Sequence, residues 1–144
     1  MTKKELLLGE MEMQSITGQL KKSAYALVPF HLSRDEIDAA IASFLNFLKL
    51  PSEIRSTIDF KLKPSHRRGD IGYKVRKEAD HLYNDEKEFF HFHPEIFSRY
   101  PGFIASHPAV ADFLDHAHNV WKLVEKTVLD VLGVVLRKSA GIRV

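Results

Sequence analysis

Cysteine is missing from all 144 residues of the sequence. Its absence excludes disulfides, thiolate zinc sites, iron–sulfur clusters and a cysteine nucleophile together. The sequence also lacks a glycine-rich phosphate-binding loop and the His-Glu-x-x-His and Gly-x-Ser-x-Gly signatures of familiar enzyme classes. Any metal bound by this chain would therefore need histidine and carboxylate ligands.

Long apolar runs and a strong charge imbalance are missing as well. No stretch approaches the roughly 18 consecutive apolar residues that a membrane span requires, and the apolar run near Met1 is too short for a signal peptide. We therefore expect a cytoplasmic protein with no membrane partner. The 21 basic and 19 acidic side chains leave a net charge of +2, which does not by itself favour nucleic acid.

The residues that are present predict one folded α+β domain over residues 1–144. The apolar fraction is 44% and ten residues are phenylalanine, a composition typical of a chain that buries a core. Residues 1–22 predict a short helix after a loose end, and residues 24–28 predict a strand that Pro29 ends.

Two longer helices are marked by their starts and their spacing. Ser33 and Glu36 form a capping box that opens a helix over 33–49. Ser106 is expected to cap the last helix, about 107–136, with Pro108 in its first turn. The apolar positions of the first helix are Ile37, Ile41, Phe44, Leu45 and Leu48. Those of the last are Val110, Leu114, Ala117, Trp121, Val124, Val128, Val131 and Val135, a stripe that predicts core packing.

The middle of the chain predicts short elements around a basic segment. Residues 52–58 read as one or two helical turns, 61–77 as a basic loop passing into a strand at 71–75, and 87–93 as a second strand. Alternation in that second strand puts His91 and His93 on one face. A turn rich in proline and glycine follows it.

Several phrases of the sequence, in order, resemble a known family. They are Tyr-Ala-Leu-Val-Pro over 25–29, the capped Ser-x-x-x-Ile-Asp-x-Ala helix, Phe-Leu-Lys-Leu-Pro-Ser-Glu-Ile-Arg over 47–55, Gly-Tyr at 72–73, the segment 85–95, and the close of the last helix on Val-Leu-Gly at 131–133. Together, over residues 24–136, they resemble the amino-terminal region of the isopenicillin N synthase-like non-haem iron(II)/2-oxoglutarate-dependent dioxygenases.

The resemblance implies a role for each part of the chain. In that family the leading strand joins the edge of a catalytic barrel, the long helix braces the barrel, and the iron and 2-oxoglutarate ligands lie downstream of that helix. The expected function is thus an amino-terminal scaffold domain of an iron/2-oxoglutarate-type oxidoreductase, with no cofactor bound by this chain alone. Without the barrel that the resemblance implies, the strand at residues 24–28 would have an unpaired edge, so we expect it to bind the missing barrel or to self-associate there. The alternative is a self-sufficient binding module that uses the basic 61–77 loop or an exposed helix or strand face.

Few residues qualify as site candidates. The resemblance places the Gly-Tyr segment near the family's active-site mouth, which makes Arg67, Arg68 and Tyr73 candidates for contacting an anionic substrate. His93 and Glu95 imitate the family's iron-binding His-x-Asp/Glu, so a compressed metal site there is an alternative. His116 and His118 point in different directions on a helix and do not predict a metal pair.

Overall fold

The computed structural model describes residues 16–59, 71–76 and 87–140, which form an α+β fold. The chain divides into two compact units. We call Ser33–Trp121 the core unit, and Met1–Leu32 with Lys122–Val144 the terminal unit. The predictions for residues 1–15 and for residues 61–70 and 77 of the basic loop lie outside the described residues.

Three helical elements open the core unit. Helix α2 spans Arg34–Leu48, helix α3 spans Ser52–Arg55, and a 3₁₀ turn covers Ser56–Ile58. The predicted capping box is confirmed: the Glu36 amide donates to the Ser33 hydroxyl at 3.2 Å, and the Ser33 amide donates to the Glu36 carboxylate at 2.9 Å. Two otherwise unpaired amides are thereby satisfied at the start of α2.

The two strands predicted in the middle of the chain are present, and they pair as an antiparallel hairpin. Strand β1 spans Gly72–Arg76 and strand β2 spans Lys87–His91, with Tyr73 opposite Phe90 and Val75 opposite Glu88. An isolated bridge joins Tyr73 to Asp59 at the end of the 3₁₀ turn. The hairpin is therefore tied by its backbone to the segment that follows α3.

The expected turn after β2 is instead largely helical. Helix α4 spans Ile96–Arg99 and helix α5 spans Pro101–Ser106, because Pro101 can occupy the first position of a helix at no cost in hydrogen bonds. The prediction that Ser106 caps the long helix is consequently wrong. Ser106 ends α5, and the His107 carbonyl accepts the first amides of helix α6, Pro108–Ala140.

The core lies between α2, the hairpin and the first turns of α6. Phe47 is fully buried, and its ring centroid lies 5.1 Å from that of Phe113 and 5.8 Å from that of Phe90. The other buried members of this cluster are Ile58, Ile71, Tyr73, Ile96, Ile104, Val110 and Leu114. The apolar face predicted for α2 is partly wrong, since Ile41 and Leu45 are 53% and 51% exposed.

The terminal unit contains helix α1, residues 16–23, followed by an irregular segment. Ala24 has a φ of 58° and its amide donates to the Leu20 carbonyl at 3.2 Å, so it ends α1 in the left-handed conformation. The predicted strand 24–28 is wrong, because residues 25–32 belong to no helix or strand. In a strand, the Leu27 amide would donate a hydrogen bond to a carbonyl of a neighbouring strand. Here it donates to the Gln19 side chain at 3.1 Å.

The part of α6 in the terminal unit leaves much of its apolar stripe uncovered. We call the exposed set the apolar ridge: Val124, Val128, Leu129, Leu132 and Leu136, each 44% to 64% exposed. Four of these residues are spaced by four, so the ridge follows one side of the helix. Among the described residues, no helix is long and apolar enough to cross a membrane.

Candidate functional site

A charged cluster forms where the hairpin meets α3. Tyr73 on β1 and Glu88 on β2 are diagonal neighbours on one face of the hairpin, because Val75 lies opposite Glu88 and two residues from Tyr73. Diagonal side chains on a sheet lie within reach of each other when they are long. Arg55 enters from the last position of α3 and completes the cluster.

The three side chains share one hydrogen-bond network. Arg55 Nη1 donates to the Tyr73 hydroxyl at 2.8 Å and to Glu88 Oε1, with which it also forms an ion pair. The Tyr73 hydroxyl donates to the same Glu88 oxygen at 2.5 Å. In addition, the Arg55 guanidinium carbon lies 5.2 Å from the centre of the Tyr73 ring. One carboxylate oxygen thus accepts from both a cation and a phenol.

Burial differs among the three members of the cluster. Tyr73 is 5% exposed as a residue, while the side chains of Arg55 and Glu88 are 19% and 36% exposed. Burial, followed by the hydrogen bond to Glu88, raises the pKa of Tyr73 to about 12. The phenol therefore stays protonated at neutral pH and acts as a hydrogen-bond donor.

Arg55 has one buried nitrogen that no described residue satisfies. Its Nε is buried and has no acceptor among the described residues. A buried polar group without a partner costs on the order of 1–3 kcal/mol, so such an atom is uncommon in a folded protein. The guanidinium is consequently only partly satisfied by Glu88 and Tyr73.

Of these three residues, the sequence analysis named only Tyr73 as a site candidate. Tyr73 was predicted to contact an anionic substrate, and it lies in the cluster with its hydroxyl already engaged by Glu88. Arg67 and Arg68 lie outside the described residues. Arg55 and Glu88 were missed, although the strand alternation of 71–75 and 87–93 could have suggested Glu88 as a neighbour of Tyr73 once the register was known.

His93 and Glu95 are close together but do not fit an iron site. The Glu95 amide donates to His93 Nδ1 at 3.2 Å, and the Glu95 carboxylate pairs with Arg99 at 3.0 Å. Strand β2 ends at His91, so His93 does not share a strand face with it as predicted. Within residues 16–59, 71–76 and 87–140, no three histidine or acidic side chains are grouped to hold a metal ion.

His116 and His118 occupy different surroundings, as the helical spacing predicted. His116 lies 3.7 Å from the Asp112 carboxylate. His118 lies among aromatic rings, with centroids 5.5 Å from Phe97 and 6.2 Å from Trp121. The two histidines therefore do not form a ligand pair.

An open cleft of about 470 Å³ lies in the core unit between α2 and α6. Its lining is mostly acidic and comprises Asp35, Glu36, Ala39, Asp112, Asp115, His116 and Asn119. The backbone amide of Ser33, and then its hydroxyl, lower the pKa of the Glu36 carboxyl, which keeps it ionised. The cleft would attract cations, but Glu36 is committed to capping α2 and Asp112 faces His116.

Comparison with known proteins adds no relative. No protein-family model matches the chain, and neither curated proteins nor solved structures give a match.

Proposed function

We propose that this chain is the amino-terminal scaffold region of an iron/2-oxoglutarate-type oxidoreductase, working in the cytoplasm and inactive on its own. The observation that carries the proposal is the exposed apolar surface of the terminal unit. The apolar ridge on α6 leaves five large side chains in water, and Tyr25 and Leu27 are 66% and 77% exposed. Soluble proteins seldom leave contiguous apolar surface uncovered unless something binds it.

The two exposed segments are those to which the family resemblance assigns contacts with the catalytic barrel. In the family, the strand matching residues 24–28 joins the barrel edge, and the long helix packs along the barrel's outside. Residues 25–32 are not helical here, and Ala26 and Val28 are half-buried while Tyr25 and Leu27 are exposed. This alternation is typical of a segment ready to pair as a strand.

The cofactors implied by this function would be held elsewhere in a longer protein. Iron(II) prefers two histidines and a carboxylate with open positions, and the His93–Glu95 pair does not supply them. We therefore derive no catalytic step through the described residues. The scaffold's contribution would be to support the barrel and, through the segment around Tyr73, to border the substrate entrance.

The alternative function is a self-sufficient, non-enzymatic binding module. The apolar ridge would equally suit a groove or a helix of a partner protein, since amphipathic helices commonly bind through apolar residues at such spacing. The basic loop 61–77, the other proposed binding surface, lies mostly outside the described residues. The two functions differ in what covers the apolar ridge: the catalytic barrel of the same protein in the first, and a separate partner protein in the second.

The reading frame that follows Val144 provides the test. The scaffold function predicts that it continues with a His-x-Asp motif, a later histidine and Arg-x-Ser. The extended protein should bind one iron(II) per chain and give a visible charge-transfer band with 2-oxoglutarate, whereas the 144-residue chain should give none. Hydrogen exchange should show amides of residues 122–136 becoming more protected in the extended protein.

A matched pair of variants separates the ridge from general surface effects. Val128→Lys in the extended protein should lower thermal stability and iron occupancy, because the lysine would be forced against the barrel. Leu45→Lys changes a side chain of similar exposure in the core unit and should leave both unchanged. A stop directly after Val144, or an extension without those ligands, would contradict the scaffold function and favour the binding module.

A further inference from the structure

We propose that Arg55 and Tyr73 form a carboxylate-binding pair, and that Glu88 occupies this pair only until a ligand carboxylate displaces it. The inference concerns the core unit alone and does not depend on the proposed scaffold function. It assigns a ligand class, small organic carboxylates, to a cluster that would otherwise be described as a structural ion pair.

The donors converge as a carboxylate site requires. Arg55 Nη1 and the Tyr73 hydroxyl both donate to one oxygen of Glu88. A guanidinium and a phenol supply a positive charge and a neutral donor, which together suit a singly charged oxygen acid. Because the Tyr73 hydroxyl stays protonated, it donates to an anion and does not repel it.

Glu88 satisfies the guanidinium incompletely. Arginine binds carboxylates best through two parallel hydrogen bonds, one to each oxygen. Here Glu88 is bonded to Nη1 through Oε1 alone, and Nη2, the nitrogen that can share one carboxylate with Nη1, makes no hydrogen bond to the described residues. Because Glu88 is attached to β2, the direction from which its carboxylate reaches Arg55 is restricted, whereas a free carboxylate can rotate to present both oxygens. An incoming ligand therefore gains a hydrogen bond that the internal side chain does not make.

The arrangement also permits exchange. Glu88 is the most exposed of the three side chains, while Arg55 and Tyr73 are more deeply buried. Rotation of the Glu88 side chain into water would leave a partly buried guanidinium without a counter-ion, which is unfavourable. An anion must then replace it, and a carboxylate restores the same charge and geometry.

The test uses propionate, which has the same atoms as the Glu88 side chain beyond its α-carbon. The Arg55 Nε–H signal in a ¹⁵N-labelled 144-residue chain reports on the site, and its absence from Arg55→Lys assigns it. In Glu88→Ala, we expect propionate to shift this signal saturably. In the unchanged chain the same shift should need about tenfold more propionate, since a tethered group competes at an effective concentration in the millimolar range.

Controls separate site binding from general salt effects. Sodium chloride at matched ionic strength should not shift the Arg55 signal, and Tyr73→Phe should weaken propionate binding to Glu88→Ala several-fold by removing the phenol donor. Asp130→Ala, which breaks the exposed Lys126–Asp130 pair on α6, should leave binding unchanged.

If Glu88→Ala does not fold, Glu88→Gln serves, since the amide keeps the shape but lacks the charge. No saturable shift in the folded variant, or an equal shift with chloride, would overturn the proposal.

Discussion

Helix α6 carries one apolar stripe but buries it in one unit and exposes it in the other. In the core unit Val110 and Leu114 are fully buried, and Phe113 packs against Phe47. In the terminal unit Val124 and Val128, which continue the same sevenfold spacing, are 44% and 49% exposed. The spacing of apolar residues therefore reports that a helix has an apolar side, not whether this chain covers it.

The difference between the units follows from what surrounds each half of the helix. The first turns of α6 meet phenylalanine rings from α2 and β2, which supply large apolar area. In the described part of the terminal unit, α1 spans residues 16–23 and is followed by the irregular segment 25–32. Packing by fewer side chains removes less apolar surface from water. Apolar side chains of α6 should therefore contribute less to stability in the terminal unit than in the core unit.

Replacement of Phe47 should give the largest loss of stability. Phe47 is fully buried at 0% exposure, and its ring packs against those of Phe90 and Phe113. Phe47→Ala should lower the free energy of unfolding by about 3–5 kcal/mol, the usual range for a buried aromatic. Urea unfolding followed by far-ultraviolet circular dichroism measures it. A loss below about 1 kcal/mol would mean that this ring is not packed as described.

A pair of leucine truncations on α6 tests the comparison directly. Leu114→Ala should cost about 2–5 kcal/mol because the side chain is fully buried. Leu132→Ala, in the same helix, should cost less than about 1 kcal/mol because Leu132 is 47% exposed. Both are measured by urea unfolding of the 144-residue chain. Equal losses would show that the ridge is covered in solution, for example by a second copy, which sedimentation would detect.

Alkaline pH should weaken the cluster that joins α3 to the hairpin. Folding raises the pKa of Tyr73 from 10.0 to about 12, so the folded state holds this proton more tightly than the unfolded state. The resulting stability is fully present below pH 10 and is lost as the pH rises towards 12. The effect should be on the order of 1–2 kcal/mol.

The matched variant for this pH effect is Tyr73→Phe. It lacks the titrating hydroxyl and should show a smaller loss of stability between pH 10 and pH 12 than the unchanged chain. Thermal melts at closely spaced pH values provide the measurement. Identical pH profiles for the two proteins would show that Tyr73 does not titrate differently on folding.

The features that the sequence predicted correctly are local in origin. The capping box of α2 depends on Ser33 and Glu36, three residues apart, and its geometry is confirmed. Strand β2 was recognised from alternation within residues 87–93. The start of α6 was predicted to within one residue, but its cap was not, because Pro101 allows a separate helix that runs through Ser106.

The features that were missed depend on residues far apart in the sequence. A strand at 24–28 requires a partner strand, and none pairs with it among the described residues. The Arg55–Glu88 pair joins residues 33 positions apart and depends on the register of the hairpin. Exposure of Ile41 and Leu45 depends on which side of α2 meets Phe113, which helical spacing alone does not decide.

The smallest expected effect concerns the end of α1 in the terminal unit. Ala24 has a left-handed backbone conformation, which costs a residue with a Cβ roughly 1–2 kcal/mol but costs glycine little. Glycine also gains freedom in the unfolded chain, so Ala24→Gly should stabilise α1 by only about 0.5–1 kcal/mol. Ala26→Gly, two residues on and without a positive φ, should be neutral or destabilising. Hydrogen exchange of the amides of residues 20–24 measures both; slower exchange in Ala26→Gly than in Ala24→Gly would contradict the left-handed cap at Ala24.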